Sequence, residues 1–364
     1  MTSPDPPLPD PGPEGAAESP TPSVAEPERA TESPTPLVAE PDGALVPWRP
    51  GTSTFTIEGR SAPALFVIGW LATITGFGVV AIAVLAGGGL PASILFVIGM
   101  LLLAVGLVSA AGSQGIERRT RGTLPYRGPS PFLVFAAAIP VSILIVVVLS
   151  IPLVALDIRV DTPFGALLSV SVQAVVYIGL VRLLVVDTGA LDWRAMGVVA
   201  LDRLGVVQMG GGALWAVPVI FVTGIVAQVV LTVFPVTPES PLPATGTAAG
   251  FAMSFVAGAL VAPFGEEVLF RSFATTAWAR GLGERRGLIL GALFFAFAHV
   301  VTVTGATAGD AFGLAVVAFV GRIPVALALG WLFLRRGTIW ASFGLHAAFN
   351  GILLVLAEIA LTST

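Results

Sequence analysis

The groups in this chain that could do chemistry are polar side chains set inside long apolar runs. Both histidines of the chain and an adjacent pair of glutamates lie in such runs, together with one arginine and one asparagine. An ionised side chain at the centre of a bilayer costs about 2.5–3.5 kcal/mol on insertion scales, so a cluster of this kind predicts a functional site. The candidate site residues are Glu266, Glu267, Arg271, His299, His346 and Asn350.

The spacing of these residues gives several of them a shared helix face. Glu267 and Arg271 are four residues apart with the glutamate first, which is the favourable order for an ion pair on one helix. Glu266 is rotated by about 100° from Glu267, so it is the freer carboxylate. His346 and Asn350 are also four residues apart, and we expect their side chains to lie on one face.

The residue types suit the hydrolysis of a carbonyl compound. A carboxylate beside an imidazole, both partly removed from water, can take a proton from a water molecule that attacks a carbonyl. A second imidazole and an amide can polarise that carbonyl and stabilise the oxyanion. Two histidines and a glutamate are also a catalytic Zn²⁺ shell, with Glu266, His299 and His346 as candidate ligands. The residue pattern leaves both alternatives open.

Composition identifies a polytopic membrane protein. The chain has 364 residues, of which 55% are hydrophobic and 11% charged, with a mean hydropathy of +0.93, whereas soluble domains have about 25% charged residues. All 18 basic residues are arginine and the net charge is −4, which argues against nucleic-acid binding. The absence of cysteine and of a GxSxG motif excludes a thiol nucleophile and leaves a serine nucleophile without support.

The distribution of apolar runs predicts an all-α fold, a bundle of about eight or nine transmembrane helices behind a disordered N-terminal tail. The tail, residues 1–60, is rich in Pro, Glu, Ser and Thr, and the bundle covers 61–364. A run of about 20 apolar residues crosses a bilayer. The spans are expected near 63–86, 90–111, 131–155, 163–186, 206–234, 248–273, 287–304, 312–334 and 338–361. Three glycines, 87–89, predict a tight hairpin of the first two spans, and 192–202 predict a short interfacial helix.

Arginine predicts the orientation of the bundle. Alternate breaks between spans are rich in this residue, and the positive-inside rule makes those breaks cytoplasmic. With nine spans the N-terminal tail is then cytoplasmic and the C-terminus is outside, in a multi-pass protein of the cell membrane. The arginines concerned are Arg118, Arg119, Arg121, Arg127, Arg194, Arg203, Arg280, Arg285, Arg286, Arg335 and Arg336.

In their order along the chain, the polar groups closely resemble the three motifs of the CPBP intramembrane proteases, the CAAX protease and bacteriocin-processing group, also called Abi. The resemblance covers residues 248–356 and implies a helix bundle around a conical, cytoplasm-facing cavity. In the type II CAAX prenyl endopeptidases of eukaryotes the reaction is peptide-bond hydrolysis near a substrate C-terminus. The motifs are Glu266-Glu267-x-x-x-Arg271, Phe295-x-x-x-His299 and His346-x-x-x-Asn350.

The resemblance also implies a role for each residue. Members of this family have been described both as metalloproteases and as metal-independent glutamate proteases, so the implied cofactor is Zn²⁺ or none. The roles are those of a water-activating base for Glu266 with His299, a supporting ion pair for Glu267 and Arg271, and the oxyanion side for His346 with Asn350.

We therefore expect an intramembrane endopeptidase whose partners are the lipid bilayer and a peptide or membrane-protein substrate. Two alternatives use the same groups differently: a proton-coupled transporter, or a catalytically silent membrane scaffold or immunity protein of the same fold. Three further charged residues, Arg182, Arg322 and Glu358, are expected to have no catalytic role. Arg322 is expected to relate to a helix break at Pro324 or to pair within the bundle.

Overall fold

The computed structural model describes residues 57–363 except 58, 122–123, 160, 239–243 and 302, together with two short strands. The chain divides into two units, Met1–Thr56 and Ile57–Thr364. In the first, β1 (Leu37–Ala39) and β2 (Leu45–Pro47) pair antiparallel, with Val38 opposite Val46. These strands were not predicted, and the rest of the expected disordered tail up to residue 56 lies outside the described residues.

The second unit is helical in the part of it that the structure describes. Among the described residues, eight helices are long and apolar enough to cross a membrane, which confirms the predicted all-α bundle of about eight or nine spans. The helices are α1 (Pro63–Leu85), α2 (Gly89–Arg121), α3 (Pro131–Ala155), α4 (Pro163–Val181), α5 (Arg203–Ala213), α6 (Ala216–Val233), α7 (Ala248–Phe255), α8 (Ala262–Glu266), α9 (Thr276–Leu282), α10 (Glu284–Ala298), α11 (Ala308–Arg336) and α12 (Ile339–Thr362).

Three π-helical segments continue these helices, and two of the segments join helices end to end. The first, Arg182–Val186, extends α4, and the others, Val256–Val261 and Glu267–Thr275, link α7, α8 and α9. The result is one continuous span, Ala248–Leu282, of 35 residues. We call it the site helix because it carries both candidate glutamates. In π-helical turns each hydrogen bond spans five residues, and such turns occur frequently at functional sites.

The predicted span at 287–304 is wrong in its length. Helix α10 has 15 residues and is therefore about 22 Å long, shorter than the roughly 30 Å hydrocarbon core. It ends at Ala298 with His299 as its C-cap, and the N–H of Val300 donates to the carbonyl of Phe297 in a tightened last turn. The valines that follow have branched side chains, which lower helix propensity. The chain therefore completes this crossing without a full-length helix.

The arginine-rich breaks collect at one end of the bundle, which we call the arginine end. Helix α1 begins there, because Arg60 donates to Glu117 near the end of α2 at 2.6 Å. Phe234 and Phe312 meet at the opposite end, and Glu358 accepts from the N–H of Thr245 there at 2.8 Å. Contacts at the arginine end join Gly128 to Ala190, Gly197 to Ile339 and Leu288 to Gly330.

Two connections show how glycine shapes the bundle. Gly87, Gly88 and Gly89 all have positive φ, and they reverse the chain between α1 and α2, as the predicted hairpin requires. The predicted interfacial helix at 192–202 is wrong, because this segment forms turns. Met196 is fully buried, and Gly197 turns the chain with φ of 70° while its carbonyl accepts from the N–H of Ile339.

Candidate active site

The site helix packs closely against α4 at Gly265, immediately before its first charged residue, Glu266. A Cβ atom at Gly265 would lie 2.8 Å from the Cα and Cβ atoms of Ala174 in α4, so only glycine allows this approach. Glu266 ends α8, and Glu267 opens the longer π-helical segment. The hydroxyl of Thr275 donates to the Phe270 carbonyl at 2.8 Å within that segment. Close packing and this buried bond fix the direction of both glutamates.

Glu267, Arg271 and His346 form a buried layer. Their side chains are 0%, 2% and 5% exposed. Glu267 Oε1 lies 3.6 Å from Arg271 Nε and 2.9 Å from His346 Nδ1. The ion pair expected from the four-residue spacing is therefore present, and the bond from His346 is an addition that the spacing did not predict. Because a carboxylate accepts hydrogen bonds, the Nδ1–H of His346 is the donor.

The ring of Phe295 packs against Arg271 on one side and against the two histidines on the other. The Arg271 guanidinium lies 4.0 Å from the centre of its ring. The two terminal nitrogens of this guanidinium have no hydrogen-bond partner among the described residues, so the ring face supplies part of their stabilisation. The same ring contacts the imidazoles of His299 and His346 at centroid distances of 4.5 and 5.7 Å. Phe295 therefore separates the arginine from the two histidines.

Glu266 and His299 form an accessible layer above the buried one. Their side chains are 16% and 27% exposed. Glu266 Oε2 lies 4.0 Å from His299 Nε2 and 3.6 Å from His346 Nε2. Both histidines that the sequence singled out thus point the same ring nitrogen at one carboxylate oxygen.

The tautomers of the histidines follow from their other ring nitrogens. His299 Nδ1 lies 2.8 Å from the Phe295 carbonyl, which can only accept, so this nitrogen carries the proton. His346 Nδ1 donates to Glu267. In the neutral state both Nε2 atoms are therefore acceptors, and they face a carboxylate oxygen that is an acceptor too. Separations of 3.6–4.0 Å exceed direct hydrogen bonds and suit a small donor, such as water, between the three atoms.

Asn350 is one turn from His346, as predicted, but its amide is engaged elsewhere. Its Nδ2 donates to the carbonyl of Gly258, 2.8 Å away in the shorter π-helical segment of the site helix. A side-chain amide has two N–H donors, so this bond leaves one of them available. Asn350 thereby ties α12 to the site helix close to the candidate glutamates.

Arg322 is a charged residue near the site that the sequence interpretation related either to the helix break at Pro324 or to a pair within the bundle. It lies inside α11, where its Nη1 donates to the carbonyl of Ala318 at 3.0 Å. Its helix packs beside the site, since Ala326, one turn after Arg322, lies in the same buried cluster as Phe295. Its position in the sequence could have identified it as a site residue. An arginine at the middle of a span has a free-energy cost of insertion similar to that of the buried glutamates.

The Zn²⁺ shell, one of the two alternatives that the residue pattern left open, is not supported by the geometry. In the part of the chain that the structure describes, no group of three or more His, Cys, Asp or Glu residues is arranged to hold a metal ion. We therefore derive no step of the reaction through a metal.

The fold and the buried polar cluster define a multi-pass membrane protein with an intramembrane polar site. Residues 248–352 match the family model described as Type II CAAX prenyl endopeptidase Rce1-like. This match covers all six candidate residues and confirms the resemblance to CAAX proteases found in the sequence. Searches among curated proteins and among solved structures found no match for the chain.

Proposed function

We propose that this protein is an intramembrane endopeptidase that hydrolyses a peptide bond of a membrane-associated protein or peptide. The observation that carries the proposal is the convergence of the Nε2 atoms of His299 and His346 on Oε2 of Glu266. The family match supports the same class of reaction, a peptidase acting within the membrane.

In the proposed reaction, a water molecule is held between Glu266 and His299. Glu266 takes one proton from the water as its oxygen attacks the carbonyl carbon of the substrate, and His299 orients the water through its Nε2 lone pair. The carbonyl becomes an oxyanion, and the C–N bond then breaks. Glu266 returns the proton to the departing amine, so the products are an acid and an amine. Partial burial strengthens each of these interactions relative to water.

The oxyanion is stabilised by His346 and Asn350 in this proposal. Glu267 accepts from the Nδ1–H of His346 and fixes the direction of that ring. In the proposed step Nε2 of His346 takes up a proton from solvent as the oxyanion forms, donates this N–H to the oxyanion, and releases the proton to solvent when the oxyanion collapses. The second N–H of Asn350 is the further donor. Arg271 balances the charge of Glu267, so the buried pair orients His346 without adding net charge.

We also propose that the cavity opens to the cytoplasm and that the protein lies in the cell membrane with its N-terminal tail inside. The arginine-rich breaks lie at one end of the bundle, and the positive-inside rule assigns that end to the cytoplasm. Helix α12 begins at that end, and His346 is seven residues beyond Ile339, or about 11 Å along the helix. The site is therefore within reach of a substrate that enters from this end.

The proposal is tested with purified protein in nanodiscs and a pooled peptide library, with cleavage read by mass spectrometry. Wild type is expected to release fragments, and Glu266→Gln is expected to release none above background. Glu284→Gln, the same change at an exposed position of α10, is the matched control and should cleave like wild type. Equal cleavage by the Glu266→Gln protein would overturn the assignment of Glu266 as the base.

A further inference from the structure

Arg322 lies at the centre of a membrane-spanning helix. Fourteen residues separate it from Ala308 and fourteen from Arg336, the two ends of α11. Each end is therefore about 21 Å away along the axis. An arginine side chain that extends towards the interface covers only a small part of this distance, so a lipid headgroup cannot neutralise it. A charge held at this depth requires a partner inside the protein or in a ligand.

The protein satisfies only part of the hydrogen-bonding capacity of the Arg322 guanidinium. Nη1 of Arg322 donates to the carbonyl of Ala318, its own neighbour one turn earlier. Among the described residues no carboxylate lies within ion-pair distance of Arg322. Arg271, in contrast, lies 3.6 Å from Glu267 in an ion pair. Arg322 is half-buried. Its remaining guanidinium nitrogens are not sealed inside the protein, so a ligand can reach them.

The face of α11 that carries Arg322 packs beside the site. Ala326, one turn after Arg322 on that face, lies in the same buried cluster as Phe295, whose ring contacts both histidines. A planar guanidinium matches a carboxylate with two parallel hydrogen bonds, and such bonds are strongest away from water. An anionic group of a bound peptide would meet these donors close to the reactive carboxylate.

We propose that Arg322 binds a carboxylate of the substrate, so that the cavity selects peptides with a negative charge near the scissile bond. The inference rests on the proposed peptidase function and adds a specificity-determining residue to it. The carboxylate is either the C-terminus of the peptide or the side chain of an Asp or Glu residue, and the experiment separates these two sources.

The test uses decapeptide pools with apolar residues at their last four positions, made as C-terminal acids and as C-terminal amides. The third and fourth pools are both C-terminal amides, and at the fifth position from the C-terminus the third has Asp and the fourth has Asn. Wild type should cleave the charged member of at least one pair with a kcat/KM higher by about 10- to 100-fold, the range of a hydrogen bond between charged groups. Preference within the first pair identifies the C-terminal carboxylate, and preference within the second identifies the side chain.

Arg322→Gln should abolish this preference through a higher KM for the charged peptide, and Arg322→Lys should retain part of it. A residue that only balances the charge of Glu266 would change the rates for both members of a pair alike. Arg336→Gln, on an exposed position of the same helix, is the matched control and should keep the preference. Size-exclusion profiles establish that each variant is folded.

Binding of the same pools to the Glu266→Gln protein separates this inference from the proposed function. Tighter binding of the charged peptide, abolished by the added change Arg322→Gln, supports the role of Arg322 whether or not wild type cleaves. Equal binding of the charged and neutral pools, or no binding of either, would overturn it. A loss of cleavage in Glu266→Gln with equal cleavage of charged and neutral pools by wild type would leave the peptidase intact and remove the role of Arg322.

Discussion

Glu266 and Glu267 are neighbours in the chain, yet they lie in different environments. The Glu267 side chain is fully buried and has two partners, whereas Glu266 is 16% exposed and faces two ring nitrogens beyond hydrogen-bond distance. One step along a helix rotates a side chain by about 100°, which is enough to separate the two roles. The comparison indicates that the buried layer holds the site together, and it leaves Glu266 as the carboxylate that we propose to react.

The largest effect is expected from breaking the buried ion pair. Arg271→Met leaves Glu267 as a buried charge without its arginine, and we expect a loss of about 3–5 kcal/mol in the free energy of unfolding. Chemical unfolding in mixed micelles measures it. The double variant Glu267→Gln/Arg271→Met removes both charges and should recover part of the loss. Arg285→Met, at an exposed position, is the control, and wild-type stability of Arg271→Met would contradict a structural role for the buried layer.

Substitution of one histidine from each layer compares the two layers directly. His346→Ala removes a hydrogen bond to the buried carboxylate of Glu267, so the free energy of unfolding should fall by about 1.5–3 kcal/mol. His299→Ala removes a more exposed ring, and its effect on stability should be below about 1 kcal/mol. Both should lower kcat/KM by about 100-fold or more. If the two variants lose equal stability, the division into layers is wrong.

A smaller effect is expected from the hydroxyl that bonds within the π-helical segment. Thr275→Val removes the bond from Oγ1 to the Phe270 carbonyl and should cost about 0.5–1.5 kcal/mol of stability. Because this segment carries Glu267 and Arg271, kcat should fall several-fold as well. Thr188→Val removes comparable bonds to Leu184 and Val185 far from the site. This control should lose similar stability with unchanged kcat, and an equal fall in kcat would contradict the link.

The smallest effect is expected from chelation. Because Glu266 acts as a free base in the proposed reaction, cleavage in EDTA should equal cleavage in buffer. The measurement compares initial rates before chelation, after it and after addition of Zn²⁺. Loss in EDTA with recovery in Zn²⁺ would assign Glu266 a ligand's role and overturn its role as a free base.

Much of the bundle could be predicted because a bilayer imposes long apolar runs. The lengths of these runs predicted the positions of eight spans. The arginines in alternate breaks between spans predicted which breaks lie at the same end of the bundle. Helix α10 was predicted too long because apolar composition does not distinguish a helix from the valine-rich segment after His299. The turns at 192–202 were predicted as a helix because their apolar residues resembled an amphipathic pattern, whereas Met196 is a core residue.

The sequence identified the polar residues that the structure brings together, but it did not predict most of the bonds that join them. Burial cost identified the polar residues, and the four-residue spacing predicted the pair of Glu267 and Arg271. The bonds from His346 to Glu267 and from Asn350 to Gly258 join different helices, so no local spacing encodes them. The π-helical segments were also missed, because a changed hydrogen-bond register leaves no trace in a helix that is apolar on every side.

The spacing of the buried pair also bears on how this protein is made. During synthesis the site helix emerges before α10 and α12, so its charges precede both histidines. Glu267 and Arg271 lie within five consecutive residues and can neutralise each other as soon as the helix forms. The segment can therefore enter the bilayer with one carboxylate uncompensated instead of three separate charges. His299 and His346 reach Glu266 only when the last helices assemble, so the proposed reactive centre is completed at the end of biogenesis.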